Sequence, residues 1–158
     1  MNQLILVLGS FILLMMLTVS VDNAVSYKTM ETYQVQSIIV ATTLAQGLVQ
    51  EISLKEFDQN TIGIPVDTLD NLTAPSLLGK EYGETVATFN DLDDYQDYVR
   101  YDTVANGYFT STVSICYVQP GNLETASAVP TFYKKVSVTV NDSEGSNMPI
   151  TLSTVIAY

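Results

Sequence analysis

A chain of 158 residues holds one domain and at most one further element, and this one combines 47% hydrophobic residues and a mean hydropathy of +0.21 with a formal net charge of −11. Six Lys and Arg stand against 17 Asp and Glu, and the pI is near 4.1; this argues against nucleic acid, whose phosphates need basic side chains. Histidine is absent and Cys116 is the one cysteine, which removes the usual general base and any intramolecular disulfide.

The apolar and charged residues are segregated along the chain. Met1 to Val21 carries no charged side chain, and 15 of the 17 acidic residues follow Glu31. Leu4 to Val21 reads LILVLGSFILLMMLTVSV, interrupted only by Gly9, Ser10, Thr18 and Ser20. With Met1, Asn2 and Gln3 it reaches the roughly 20 residues that cross a bilayer core. A cleaved secretory signal opens on a basic stretch and closes on a small-residue site, yet no Lys or Arg precedes Lys28. The segment is expected to stay on the chain as a single membrane-inserted helix.

Helical character continues past the apolar run. From Ala24 to Glu56 there is no Pro and only Gly47. Ile38, Ala41, Ala45, Leu48 and Ile52 recur at spacings of three and four, the stripe of an amphipathic helix, here predicted to pack on a sheet. Anchor (1–23) and amphipathic half (24–56) join without a breaker, which predicts one helix of about 50 residues, roughly 75–80 Å long. A plain membrane anchor is the simpler reading. A helix apolar all round in front and on one stripe behind can do more: its front half can leave the bilayer for a bundle of identical helices while its rear half carries a head. Leu4, Leu6, Val7, Leu8, Phe11, Leu13, Leu14 and Leu17 are the predicted bundle contacts, with Gly9 letting backbones approach.

Residues 57–107 are punctuated by Asp58, Asn60, Gly63, Pro65, Asn71, Pro75 and Gly79 and read as a variable loop with one short strand. The remainder, 108–158, holds three predicted strands: Tyr108 to Val118, Phe132 to Val140 and Ile150 to Ala157. Val113, Ile115 and Tyr117 share one face, and Val136, Val138 and Val140 alternate with Ser137 and Thr139. Turns fall at Pro120-Gly121 and Asp142-Ser143-Glu144-Gly145. This is an α+β chain: a long N-terminal helix on an antiparallel sheet, connected as a meander.

Several clusters carry possible chemistry. Asp91, Asp93, Asp94 and Asp97 could offer oxygens to Ca²⁺, but Gln96 stands where an EF-hand needs Gly and no distal Glu follows. The block reads first as a solvated acidic turn capped by Asp91, with no metal as the primary expectation. Tyr95, Tyr98, Tyr101, Tyr108 and Tyr117 have no haem or metal motif beside them and read as packing residues. Asn71-Leu72-Thr73 and Asn141-Asp142-Ser143 fit the glycosylation triplet, which is frequent by chance. Cys116 has no His partner for nucleophilic chemistry and reads as a small packed residue. No cofactor and no enzyme activity are expected.

The whole chain resembles the type IV pilin and pseudopilin superfamily in its order of long helix, variable loop and antiparallel sheet. The segment Thr42-Thr43-Leu44-Ala45-Gln46-Gly47-Leu48-Val49-Gln50-Glu51 resembles the helix of minor pilins and pseudopilins, and Tyr133 to Val140 (YKKVSVTV) resembles a strand common in that group. It departs from the family pattern at Ile5, where members usually carry Glu, at Met1 instead of Phe, at Asp22 instead of a helix-softening Pro, and in having no C-terminal cysteine pair. Asn2 and Gln3 are the polar side chains left to meet a neighbouring subunit's amine. The resemblance implies a homo-oligomeric extracellular filament built from subunits first inserted in the cytoplasmic membrane. It also implies an assembly machinery, and a prepilin peptidase that would expose Met1 as the mature N-terminus; an initiator Met1 would leave Lys28 on the exported side, against the positive-inside trend. The core contacts would then run from Met1, Asn2, Gln3, Leu4 and Ile5 onward. The rival readings are a secretion-system pseudopilin or minor pilin, and a monomeric membrane-anchored binding domain.

Overall fold

The computed structural model describes residues 2–104, 107–143 and 148–158. Met1, the Asn2 side chain and the Glu144-Gly145 part of the last predicted turn lie outside the described residues. Two units are distinguished, Met1–Gln36 and Ser37–Tyr158.

Helix α1 covers Asn2–Ser53, 52 residues or about 78 Å at 1.5 Å per residue. Within the first unit five hydroxyl side chains bond back to the helix itself. Ser10 Oγ donates to Val7 O at 2.8 Å, Thr18 Oγ1 to Leu14 O at 2.8 Å and Ser20 Oγ to Met16 O at 2.9 Å. Thr29 and Thr32 do the same with Val25 and Lys28. Such back-bonding hides a hydroxyl from an apolar surrounding.

The second unit is the head. Its sheet has the order β1 (Val99–Val104), β2 (Gly107–Gln119), β4 (Tyr133–Asp142), β5 (Ile150–Ala157), all antiparallel, and β3 (Asn122–Ala126) pairs with the end of β2. Period-two alternation sorts the faces. Phe109, Val113, Ile115, Val136, Val138 and Val140 are buried against Ala41, Ala45, Leu48 and Ile52 in one core. The other face is a hydroxyl surface, with Ser137 and Ser153 2.9 Å apart and Thr139 and Thr151 2.9 Å apart. The architecture is α+β, a long helix packed on an antiparallel sheet.

Three details differ from the sequence reading. The helix stops at Ser53, before residue 56, because Leu54 and Lys55 tighten onto Glu51 and Ile52 while Glu56 leaves to bridge Asp91. The buried stripe runs Ser37, Ala41, Ala45, Leu48 and Ile52, whereas Ile38 is 43% exposed. Counting back four from Ala41 reaches Ser37, a better fit to 3.6 residues per turn, and Ser37 Oγ donates to Asp142 Oδ2 on β4. Finally, the three predicted strands do pair in chain order, β2 with β4 and β4 with β5, but a further strand joins them: β3, whose NLETA sequence is exposed throughout and has no alternation.

Candidate functional site

Two parts of the chain carry features beyond what folding needs. The first is the surface of α1 in the N-terminal unit. Leu4, Ile5, Leu6, Val7, Leu8, Phe11, Leu13, Leu14 and Leu17 are all exposed, more than half of each side chain's full area. A Cβ on Gly9 would meet nothing within 4 Å, so its missing side chain leaves open space on the helix surface. Among the described residues this is the one helix long and apolar enough to cross a membrane. Large apolar side chains stay exposed beyond the charge-free stretch, at Val25, Tyr27, Met30, Tyr33, Val35 and Ile39.

The second is a buried polar cluster in the head, between the end of α1 and the sheet. Lys134 opens the inward row of β4 and is fully buried. Its ammonium donates to Phe57 O at 2.7 Å, Asp58 Oδ2 at 3.1 Å and Asp93 Oδ1 at 2.7 Å. It lies 4.8 Å from the centroid of Phe57 and 5.1 Å from that of Tyr117. Asp58 in turn gathers the loop: Asn60 N at 3.1 Å and Thr73 Oγ1 at 3.0 Å reach its Oδ1, while Thr73 N and Tyr117 OH, both at 3.0 Å, reach its Oδ2. Burial alone would raise the Asp58 carboxyl, but the Lys134 charge and the Asn60 and Thr73 N–H groups outweigh it and hold it below its ordinary value. Burial dominates at Asp93, which is raised in spite of Lys134, and pushes the Tyr117 hydroxyl up as well.

The acidic block is not a solvated turn. Asp91, Asp93 and Asp94 are each 1% exposed, carried inward by Phe89, Leu92 and Tyr95, three buried apolar residues at spacings of three. Glu56 N and Leu92 N pair with Asn90 O and Glu56 O at 3.1 and 2.9 Å, and Tyr95 OH donates to Glu51 at 2.8 Å. Nor are Asp91, Asp93, Asp94 and Asp97 brought together as one ligand set. Asp93 is held by Lys134, Asp91 Oδ1 accepts from Asp94 N at 3.2 Å, and Asp97 is exposed in the left-handed region with φ of 59°. Burial beside Asp93 and Asp94 pushes the Asp91 carboxyl up to about 8.

The carboxylates that do converge are Glu81, Glu84 and Asp94, which place one oxygen each within 4.8 Å of one another. Gly83, with φ of 91°, sits in the Glu81 to Glu84 turn closed by Glu84 N to Glu81 O at 3.2 Å, a conformation that strains any side chain. Partial desolvation, with the Glu84 carboxyl beside it, pushes Glu81 up to about 7.

The remaining candidates are structural. Tyr95, Tyr98 and Phe89 form an edge-to-face cluster with centroids 4.9–6.0 Å apart, and Tyr117 binds Asp58; Tyr101 and Tyr108 are exposed, not packed. Thr73 of the first glycosylation triplet is committed to Asp58. Cys116 is half-buried, and burial raises its thiol.

Compared with family models, with curated proteins and with solved structures, the chain finds no match.

Proposed function

We propose that the chain is the structural subunit of a type IV pilus-like extracellular filament, held in the cytoplasmic membrane by α1 before it polymerises through the same helix. The observation that carries this reading is the length of exposed apolar surface on α1. A bilayer core is about 30 Å thick and is satisfied by about 20 residues. Exposed large apolar side chains run from Leu4 to Ile39, roughly 53 Å of helix at 1.5 Å per residue. Lipid covers only part of that; the rest calls for protein, and identical helices in a bundle supply it along the whole length. The back-bonded hydroxyls of Ser10, Thr18 and Ser20 suit either surrounding, since lipid and bundle both punish an unpaired donor.

In this reading the subunit has a building role rather than a catalytic one, and the acidic head faces water. The test is electron microscopy of material sheared from cells that express the chain, with mass spectrometry of any filaments recovered. Filaments composed of this chain support the proposal. A chain confined to the membrane fraction as a monomer refutes it in favour of an anchored binding domain.

A further inference from the structure

We propose that the loop between α1 and β1 is a Ca²⁺ site whose protein ligands are Glu81, Glu84 and Asp94. The first observation is convergence: one carboxylate oxygen from each lies within 4.8 Å of the others. Oxygens bound at the 2.3–2.6 Å typical of Ca²⁺ are separated by at most about 4.6–5.2 Å across the ion, so no two of the three are too far apart to share one ion. The second observation concerns Asp94 itself, which is 1% exposed. Its Oδ2 accepts from Asn90 N at 2.7 Å and Asp91 N at 3.2 Å, while its Oδ1 is buried and has no donor. Asn90 Oδ1 next to it is likewise buried without a donor.

A buried carboxylate oxygen with neither a hydrogen bond nor a cation is costly, and among the described residues no donor relieves this one. All three ammonium donors of Lys134 are spent on Phe57, Asp58 and Asp93. Among the described residues no ion pair reaches Glu81, Glu84 or Asp94. An all-oxygen, carboxylate-rich donor set selects a hard cation over zinc or copper. Mg²⁺ demands a tight octahedron at about 2.0–2.1 Å, whereas Ca²⁺ tolerates an irregular shell completed by water. Glu81 is exposed and Glu84 half-buried, so water has access on that side. The bound ion would tie the Gly83 turn to the segment around Asp94, which is already fixed to the end of α1 through Glu56.

The experiment uses the full chain in detergent micelles, freed of metal with a chelator and titrated with CaCl₂ or, in parallel, MgCl₂. Calorimetry is expected to show one saturable equivalent of Ca²⁺ with a Kd on the order of 10⁻⁴ to 10⁻³ M or tighter, as in extracellular modules, together with a rise in Tm. The double variant Glu81→Gln/Glu84→Gln, altered on an accessible turn outside the core, should fold and lose at least about tenfold in affinity. Asp70→Asn, at an exposed acidic residue elsewhere in the loop, should bind as the parent does. Absence of saturable heat and of any Tm shift overturns the site. So does unchanged affinity in the double variant, and an equal response to Mg²⁺ overturns the assignment to Ca²⁺.

Discussion

The front and rear of α1 are made of similar residues and meet opposite fates. Leu8 and Leu48 are both leucines in the same unbroken helix, yet Leu8 is 54% exposed and Leu48 fully buried. The rear turns are covered because the chain supplies its own partner, the Val136, Val138 and Val140 row of β4. Among the described residues the front turns have no such partner, and their apolar side chains stay exposed. A helix is stabilised chiefly by what its apolar face packs against, so where the cover is missing from the chain, the sequence is specifying an environment or a neighbour.

The comparison breaks most visibly at the front. Leu8→Lys or Phe11→Asp should abolish filaments while leaving the head folded, since a charge at the centre of an apolar helix costs about 2.5–3.5 kcal/mol in every subunit. Filament yield and membrane content should be measured together, and normal filaments from either variant would remove the front of α1 from the filament core. At the rear, Leu48→Asp buries a carboxylate in the core and should cost more than about 4 kcal/mol. The exposed Gln46→Asp two residues earlier should stay within about 0.5 kcal/mol. Thermal melts of a chain beginning at Ala24, which should be a soluble monomer, separate the two, and coincident melts would mean the stripe is not what holds the head.

Polar contacts in the head should matter nearly as much. Lys134→Met strands the carboxylates of Asp58 and Asp93 and should cost about 3–5 kcal/mol; adding Asp58→Asn and Asp93→Asn should return part of the loss in the same melt. Ser37→Ala removes a donor to Asp142 and should cost about 1.5–3 kcal/mol, against little for Ile38→Ala, and denaturant unfolding reads that difference. The mildest effect is on pH. The Asp58 carboxyl is depressed in the folded head, so its contribution is present above the ordinary carboxylate range and is lost as pH falls through the folded value. The Tm should therefore drop below about pH 4, and Asp58→Asn should flatten that decline.

How much of this could be read from the sequence follows from where the signal is local. The absence of charge before Asp22, the three- and four-residue spacing from Ala41 to Ile52 and the alternation in β2 and β4 are local, and they give the helix, most of its stripe and the sheet. Hydrophobicity points to Ile38 as the next member of the stripe, whereas the phase of 3.6 residues per turn points to Ser37. Strand β3 left no alternation to find. Charge alone makes the acidic block look like a solvated turn, but the regular spacing of Phe89, Leu92 and Tyr95 pulls the intervening carboxylates inside. Lys134, the partner of Asp93, lies 41 residues beyond it, and no spacing rule reaches that far. Glu81 and Glu84 meet Asp94 only after the loop has folded back.

The bond between Ser37 and Asp142 links residues 105 positions apart, and Lys134 reaches Asp58 across 76. Contacts so distant in sequence make folding slow, because the loop must close before any of them forms. At roughly 5–20 residues per second of synthesis, on the order of 5–20 s separate the appearance of Ser37 from that of Asp142. Throughout that interval Ala45, Leu48 and Ile52 have no β4 to rest on. The nascent chain thus carries a second uncovered apolar stripe behind its front helix, and the two could be confused. Strand β4 ends the ambiguity when it arrives: it covers the rear stripe and leaves the front of α1 exposed, so in the proposed filament maturation of the head would set the moment at which the subunit becomes ready to assemble.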